Sequence, residues 1–309
     1  MATVTLAESA KLSQNKLVIG IIETIITVNR IFELIPFDGI EGNALAYNRE
    51  GAIPANFVQT AEVGDTIAAK APAVFVQATS SLTTIVGDAE VNGLIQATRS
   101  NFQDQRATQV QAKAKSVARS WQSQFVIGDN GTTASEFDGI EQLCAAGQTI
   151  TVGANGDALS FANMDELHDL VIDRDGEVDW FMAHGRTIRQ FKALLRALGG
   201  AGINEVLQLP SGKTVPVYSG VGIFTNNHIP LDDTKGTGTA LSAMYAGNFD
   251  DGSRDTGLAG LTALSQAGIG VENVGISETK DETITRVKWY ASMALFSELG
   301  LAKLPHITA

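Results

Sequence analysis

Residues 101–127 read NFQDQRATQVQAKAKSVARSWQSQFVI. Val110, Ala114, Val117, Trp121 and Phe125 recur at helical spacing on one face, while Gln103, Asp104, Arg106, Gln109, Lys113 and Arg119 occupy the others. The pattern predicts one helix of about seven turns from Asn101 to about Ile127. Upstream, residues 73–78 and 82–86 read as strands around a Thr/Ser turn, followed by Gly87 and Asp88. Before them, residues 37–73 are punctuated by Gly39, Gly42, Gly51, Pro54, Gly64 and Pro72, with short β-type runs and few large apolar side chains. Such a stretch cannot build its own core, and a long two-stranded ribbon is marginal without a partner surface. It reads as an arm laid on something else.

Residues 13–35 predict a helix capped by Ser13, with Val18, Ile21, Ile22, Ile25 and Phe32 at helical spacing and Pro36 ending it. Leu17, Ile19, Ile26, Val28, Ile31 and Leu34 leave the other faces apolar too. That is more than one core needs, so this helix is expected to pack on two sides, one of them in a neighbouring chain. Downstream of the loop at 128–133 the text alternates in the α/β manner. A helix is expected at 163–172, a strand at 180–183 and a basic helix at 186–198, followed by a Gly-rich break. A hairpin at 205–209 and 214–218 comes next, then strands at 222–225, 241–248, 257–264, 271–276 and 283–296.

The chain has 309 residues, 34 acidic against 22 basic, for a net charge of -12, and is 44% hydrophobic. This composition supports one elaborate domain or two, and excludes a disordered polyelectrolyte. The acidity argues against a protein that wraps DNA with a basic stripe. Cys144 is the single cysteine, so no intrachain disulfide or cysteine-cluster zinc site can form. Residues 1–10 do not read as a secretory signal, and no uncharged run reaches the ~18 residues of a membrane span, so no membrane partner is expected.

The chemistry-bearing patterns have plainer readings. Ser211-Gly-Lys-Thr214 resembles the end of a phosphate-binding loop, but Leu207 stands where the first glycine belongs and Pro210 lies inside, so a hairpin turn is expected. Gly199, Gly200 and Gly202 have Glu205 in place of a dinucleotide-binding third glycine. Asp165, His168 and Asp169 share a face, followed by Asp173, Asp175, Glu177 and Asp179; the spacing fits no calcium loop and reads as a solvated acidic surface. His184, His228 and His306 are scattered. Arg254, among the carboxylates of residues 250–255, reads as the cation of a charged turn, paired within the loop or with an adjacent subunit. Arg186, Arg189, Lys192 and Arg196 form one basic helix in an acidic chain, a contact for an acidic edge of a neighbour. Lys70 would need a carboxylate base to form an isopeptide bond with a neighbour's Asn. No catalytic, cofactor-binding or metal-binding set emerges.

Six stretches, taken in order, carry a resemblance: GNALAYNR at 42–49, QATRSN at 96–101, FMAHGRTI at 181–188, YSGVGIF at 218–224, YAGNFDD at 245–251 and VKWYASM at 287–293. With the arm and long helix they resemble the major capsid proteins of tailed bacteriophages, the Hong Kong 97-type fold, over essentially the whole chain. The resemblance implies an α+β fold with an N-arm (1–36), E-loop (37–74), P-domain with spine helix (75–130), A-domain (131–264) and P-domain return strands (265–309). It implies a structural protein and no enzyme, with no cofactor. Copies would associate as pentamers and hexamers into an icosahedral virion head, assembled in the host cytoplasm around double-stranded DNA without sequence-specific contacts. Portal and decoration proteins are expected partners. Because the N-arm follows Met1 at once, a scaffolding protein is expected to be separate or absent. Interface residues are expected at Ile22, Phe32, Tyr47, Arg49, Lys70, Arg186, Arg189 and Arg254, with Arg49 over a neighbour. An encapsulin-like nanocompartment enclosing an enzyme resembles the same fold and is the alternative reading. A soluble α/β enzyme is the third.

Overall fold

The computed structural model describes residues 31, 34–50, 58–67, 71–72, 74–99, 104–173, 176–198, 206–208, 214–266 and 268–308. The expected N-terminal helix, with Ile22 and Phe32, and Lys70 lie outside the described residues, although Ile31 and Ile35 are buried in the main core.

After Pro36 come β1 (Phe37–Ile40), β2 (Ala44–Glu50) and β3 (Phe75–Ser81); β2 and β3 form an antiparallel ribbon from Ala44 opposite Ser81 to Glu50 opposite Phe75. The chain continues through β4 (Thr83–Asn92), α1 (Gly93–Arg99) and α2 (Gln105–Ile127). The strand expected at 82–86 runs on through Gly87 and Asp88, because β4 pairs with its neighbour over its whole length and Asp88 lies directly opposite Arg286. The long helix is present as read, but opens at Asp104, whose carboxylate accepts from the Arg106 and Ala107 amides and satisfies donors that the first turn leaves open. It ends at Gly128, where a Cβ would stand 2.2 Å from the Phe137 carbonyl oxygen, so only glycine fits the turn.

The second half comprises α3 (Ile140–Leu143), α4 (Phe161–Ile172), β5 (Trp180–Ala183), α5 (Gly185–Ala197), β6 (Val206–Gln208), β7 (Thr214–Tyr218), β8 (Val221–Thr225), β9 (Asp233–Lys235), β10 (Gly238–Gly247), β11 (Leu258–Ala263), β12 (Gly270–Ile276), β13 (Glu282–Leu295) and β14 (Leu301–Ile307). Two main sheets result. The first runs β1-β11-β13-β12, with β4 on the other flank of β13; the second runs β14-β10-β5-β8-β7-β6, with β9 also on β10.

Strand pleating explains how one helix serves the first sheet. Val287, Ala291, Met293 and Leu295 alternate along β13 and meet Val117, Trp121 and Phe125 of α2 in one core, while Arg286 and Lys288 fall on the opposite face. The second sheet is covered on both sides. Phe181, Ala183, Met244 and Ala246 pack under α4 and α5, and Trp180, Met182 and Tyr245 alternate into the core shared with α2. That is why β5 is buried at every residue, with no polar alternation.

Three sheet assignments differ from the expected boundaries. Residues 37–40, expected in the arm, form β1 and pair in parallel with β11, Gly260 leaving room for the Phe37 ring. β11, expected with the second unit, belongs to the first sheet through β13, and β14, beyond the last strand expected at 283–296, lies along β10 in the second. Periodicity identifies a strand, whereas its partner is set by packing between residues far apart in sequence.

α5 is capped by His184, whose Nδ1 accepts from the Arg186 amide at 3.0 Å, an arrangement that requires a neutral imidazole. Burial, then the Arg186 and Arg189 charges, hold this His below its ordinary 6.5. The unfolded chain therefore takes up the proton more readily. The stabilisation is complete above pH 6.5 and is lost as the pH falls through the lower, folded-state value. We expect the melting temperature to drop on acidification below pH 6.5. His184→Asn, a cap that does not titrate, should remove part of that drop. An unchanged pH profile in the variant would show that the cap is not coupled to pH. His228, depressed by burial and then by Arg119, contributes in the same direction and accounts for a remainder.

Candidate assembly surfaces

The ribbon is fastened at its base and exposed beyond it. Leu45, Tyr47 and Leu82 pack against a small core of Ile40, Ala259, Leu261, Ala294 and Phe296, with Tyr47 edge-on to Phe296 at 5.1 Å. Arg49 fixes the geometry. Its Nη2 and Nε donate to the Leu295 carbonyl at 2.6 and 3.1 Å, Nη1 donates to Glu298 at 2.9 Å, and the guanidinium lies over the Tyr47 ring. Arg49 was expected over a neighbour; its donors are instead used within its own chain, because the short ribbon base brings β2 against the end of β13. Farther out, Val58, Val63, Ile67, Val74, Phe75 and Val76 are exposed, an apolar surface too large for an isolated ribbon to leave in water.

The expected charged residues divide into clamps and free cations. Arg254 Nε donates to Asp38 at 2.7 Å, tying the 250–255 turn to β1, while Asp250 accepts from the Gly252 and Arg254 amides. Within this chain Arg254 thus pairs with β1, and not inside its own loop as expected. Arg186 Nη2 reaches the Ala240 carbonyl at 2.6 Å and anchors the start of α5 against β10. Arg189, Lys192 and Arg196 stand exposed on the outer side of α5.

The remaining candidates lie around β6, β7 and α4. β6 and β7 pair antiparallel around residues 209–213, which lie outside the described residues. On α4, Asp165 accepts from the Tyr218 hydroxyl at 2.5 Å; burial and then this carboxylate push the Tyr218 pKa upward. Among the described residues no group of three His, Cys, Asp or Glu side chains can hold a metal ion, and no helix is long and apolar enough to cross a membrane.

Two surfaces escaped the sequence reading. β12 lies at the edge of the first sheet and exposes Val271, Val274 and Ile276. Beside it, the face of β4 and β13 turned away from the core is charged: Arg286 grips Asp88 through two bonds of 2.8 and 2.9 Å, and Lys288 meets Glu272 at 2.7 Å. Asp88, Arg286 and Lys288 line, with Lys113 and Tyr290, an open cleft of about 560 Å³. The Arg286 hydrogen bond holds Asp88 below its ordinary 3.8. The signal was present as Arg286 and Lys288 alternating with apolar residues along β13, but their partners lie on other strands.

Residues 143–308 match the family of SrpI-like type 2A encapsulin shell proteins. The holo-SrpI encapsulin complex of Synechococcus elongatus PCC 7942, solved by cryo-electron microscopy, superposes with a TM-score of 0.74 at 18% identity, over 100% of this chain and 97% of that one. The capsid of a native GTA particle gives 0.63 at 15% identity over the whole of both chains. The major capsid protein of phage G, solved with its decoration protein, gives 0.63 at 13% identity, again over both chains entirely. No curated protein matches in sequence. The fold is the α+β Hong Kong 97-type capsid fold.

Proposed function

This chain belongs to the family of SrpI-like type 2A encapsulin shell proteins, a shell-forming structural family, and from that premise we propose that its copies close into a compartment holding a protein cargo. The observation that carries the reading is the family match over residues 143–308, which contain the second sheet and the return strands of the first. The higher superposition score with an encapsulin, 0.74 against 0.63 for the two capsids, supports it. In this reading the ribbon reaches over an adjacent copy, its exposed apolar side chains covered there, and pentamers and hexamers close the shell through heterologous contacts. The phage-capsid neighbours and the order of the six sequence stretches favour a second reading, a bacteriophage head filled with double-stranded DNA.

Particles purified from expressing cells separate the two. Negative-stain microscopy is expected to show closed polyhedral shells, and the particles to carry a co-purifying protein without nuclease-protected DNA. Protected double-stranded DNA of defined length would reverse the assignment in favour of a head. A chain that stays monomeric even when candidate scaffold and cargo proteins are supplied would remove both.

A further inference from the structure

We propose that two charged helical rows of this chain meet between adjacent copies, with Arg189, Lys192 and Arg196 of α5 in one copy docking on Glu166 and Asp169 of α4 and on Asp173 at its C-cap in the next. The proposal rests on the shell reading. Both rows follow the spacing i, i+3, i+7, so each lines one side of its helix over about 10 Å. All six side chains belong to exposed residues. The rows are also of pure sign, since α5 contains no acidic residue and α4 no Lys or Arg.

Within one chain the rows are not satisfied by each other. Among the described residues Arg189, Lys192 and Arg196 have no hydrogen bond or ion pair, and the one ion-pair partner of the acidic row is His168, 4.0 Å from Asp169. The acidic row is also placed at a cost. Asp169 and Asp173 stand at the C-terminal end of α4, where the helix dipole is negative and carboxylates are unfavourable. A row of cations from outside offsets that repulsion. The apolar faces of both helices, with Met164, Leu167 and Val171 on α4 and Ile188 and Phe191 on α5, are already used in the core, so the charged rows are the surfaces left for a partner.

A second copy is the partner the charges select. Ring contacts are heterologous and need two different, complementary patches on one chain, and here the patches match in sign and period. Copies of net charge -12 repel at long range, so one concentrated basic row confers orientation as well as attraction. Three exposed cations on such a chain are a poor footprint for nucleic acid, whose binding relies on many phosphate contacts.

The test is a charge swap in the full chain, with the assembled fraction read by size-exclusion chromatography at low salt. Arg189→Glu, Lys192→Glu and Arg196→Glu together should lower the assembled fraction about tenfold or more. Glu166→Lys, Asp169→Lys and Asp173→Lys together should do the same, and the chain carrying all six should assemble again. Circular dichroism checks that each variant folds. Where a reversal does not, Arg189→Gln, Lys192→Gln and Arg196→Gln decide: the parent's assembly should weaken as salt rises, and that of the neutral variant should lose most of this dependence. Single-row variants that assemble like the parent overturn the proposal while leaving the shell reading intact, as does a six-fold variant no better than either row alone. Shells that ignore the reversal but lose bound nucleic acid or an acidic cargo assign the basic row to that ligand and overturn it too. A parent that forms no shells overturns the shell reading and this contact together.

Discussion

Trp121→Ala is expected to destabilise the chain by about 3–5 kcal/mol, the range for removing a fully buried large aromatic. Trp121 is 1% exposed and lies where three parts of the chain converge. Its ring centroid is 5.5 Å from that of Phe37 in β1, 5.4 Å from Trp289 in β13, 5.4 Å from Phe125 in its own helix and 6.1 Å from Phe137 in the following loop. Phe37 and Trp289 also lean on each other, 5.7 Å apart, so the cavity cannot collapse around a methyl group without moving the sheet against the helix. Folded proteins have roughly 5–15 kcal/mol of net stability, so the loss removes a large share of it. A fall in melting temperature of roughly 10 °C is the anticipated result. Trp121→Phe keeps the ring stack and should cost clearly less. If the alanine variant melts within a degree or two of the parent, the helix and first sheet do not depend on each other as described.

Arg49→Ala should act differently, loosening one part and sparing the rest. Its guanidinium makes charge-assisted bonds to the Leu295 carbonyl and Glu298, and its side chain is only 13% exposed, so little of this is screened. Hydrogen bonds to charged groups contribute about 1.5–3 kcal/mol, which corresponds to a roughly ten- to hundred-fold rise in the population of an unlatched ribbon. Hydrogen exchange across residues 44–50 and 75–81 should accelerate by that factor while the body of the chain melts nearly as before. The yield of closed shells should fall with it. Arg49→Lys retains the charge but cannot fork between a carbonyl and a carboxylate, so it should rescue little. Unchanged exchange in the ribbon would mean that Tyr47, Leu45 and Leu82 hold it alone.

Much of the architecture was legible because it rests on local periodicity. The stripe from Val110 to Phe125, the uniformly apolar Trp180–Ala183 and the long alternation of β13 each announce their element and the face it buries. The pairing of elements was not legible. Leu258–Ala263 reads equally well as a strand of either sheet, and Leu301–Ile307, with Pro305 inside it, does not announce a strand; their places depend on Gly260 admitting the Phe37 ring and on Leu301 and Ala302 filling opposite faces beside β10. Arg49 carried no signal of its destination, since Leu295 lies 246 positions away. His184 as a helix cap was hidden for another reason. Ser, Thr, Asp and Asn are the usual caps, and an imidazole serves only while neutral. The basic row on α5 could be read directly from the sequence, because the sign of a helix face needs no tertiary information.

The path of the chain through the two sheets has a mechanical side. From α2 to β5, from β10 to β11 and from β13 to β14 the backbone passes between them, so three covalent links join bodies that also share a core around Trp121, Trp180 and Tyr245. A wall made of such copies cannot yield by hinging one sheet against the other, because every link would be loaded together with the common packing. Indentation of a shell should therefore be taken up where copies meet and along the exposed ribbons, leaving each body to move as a stiff plate.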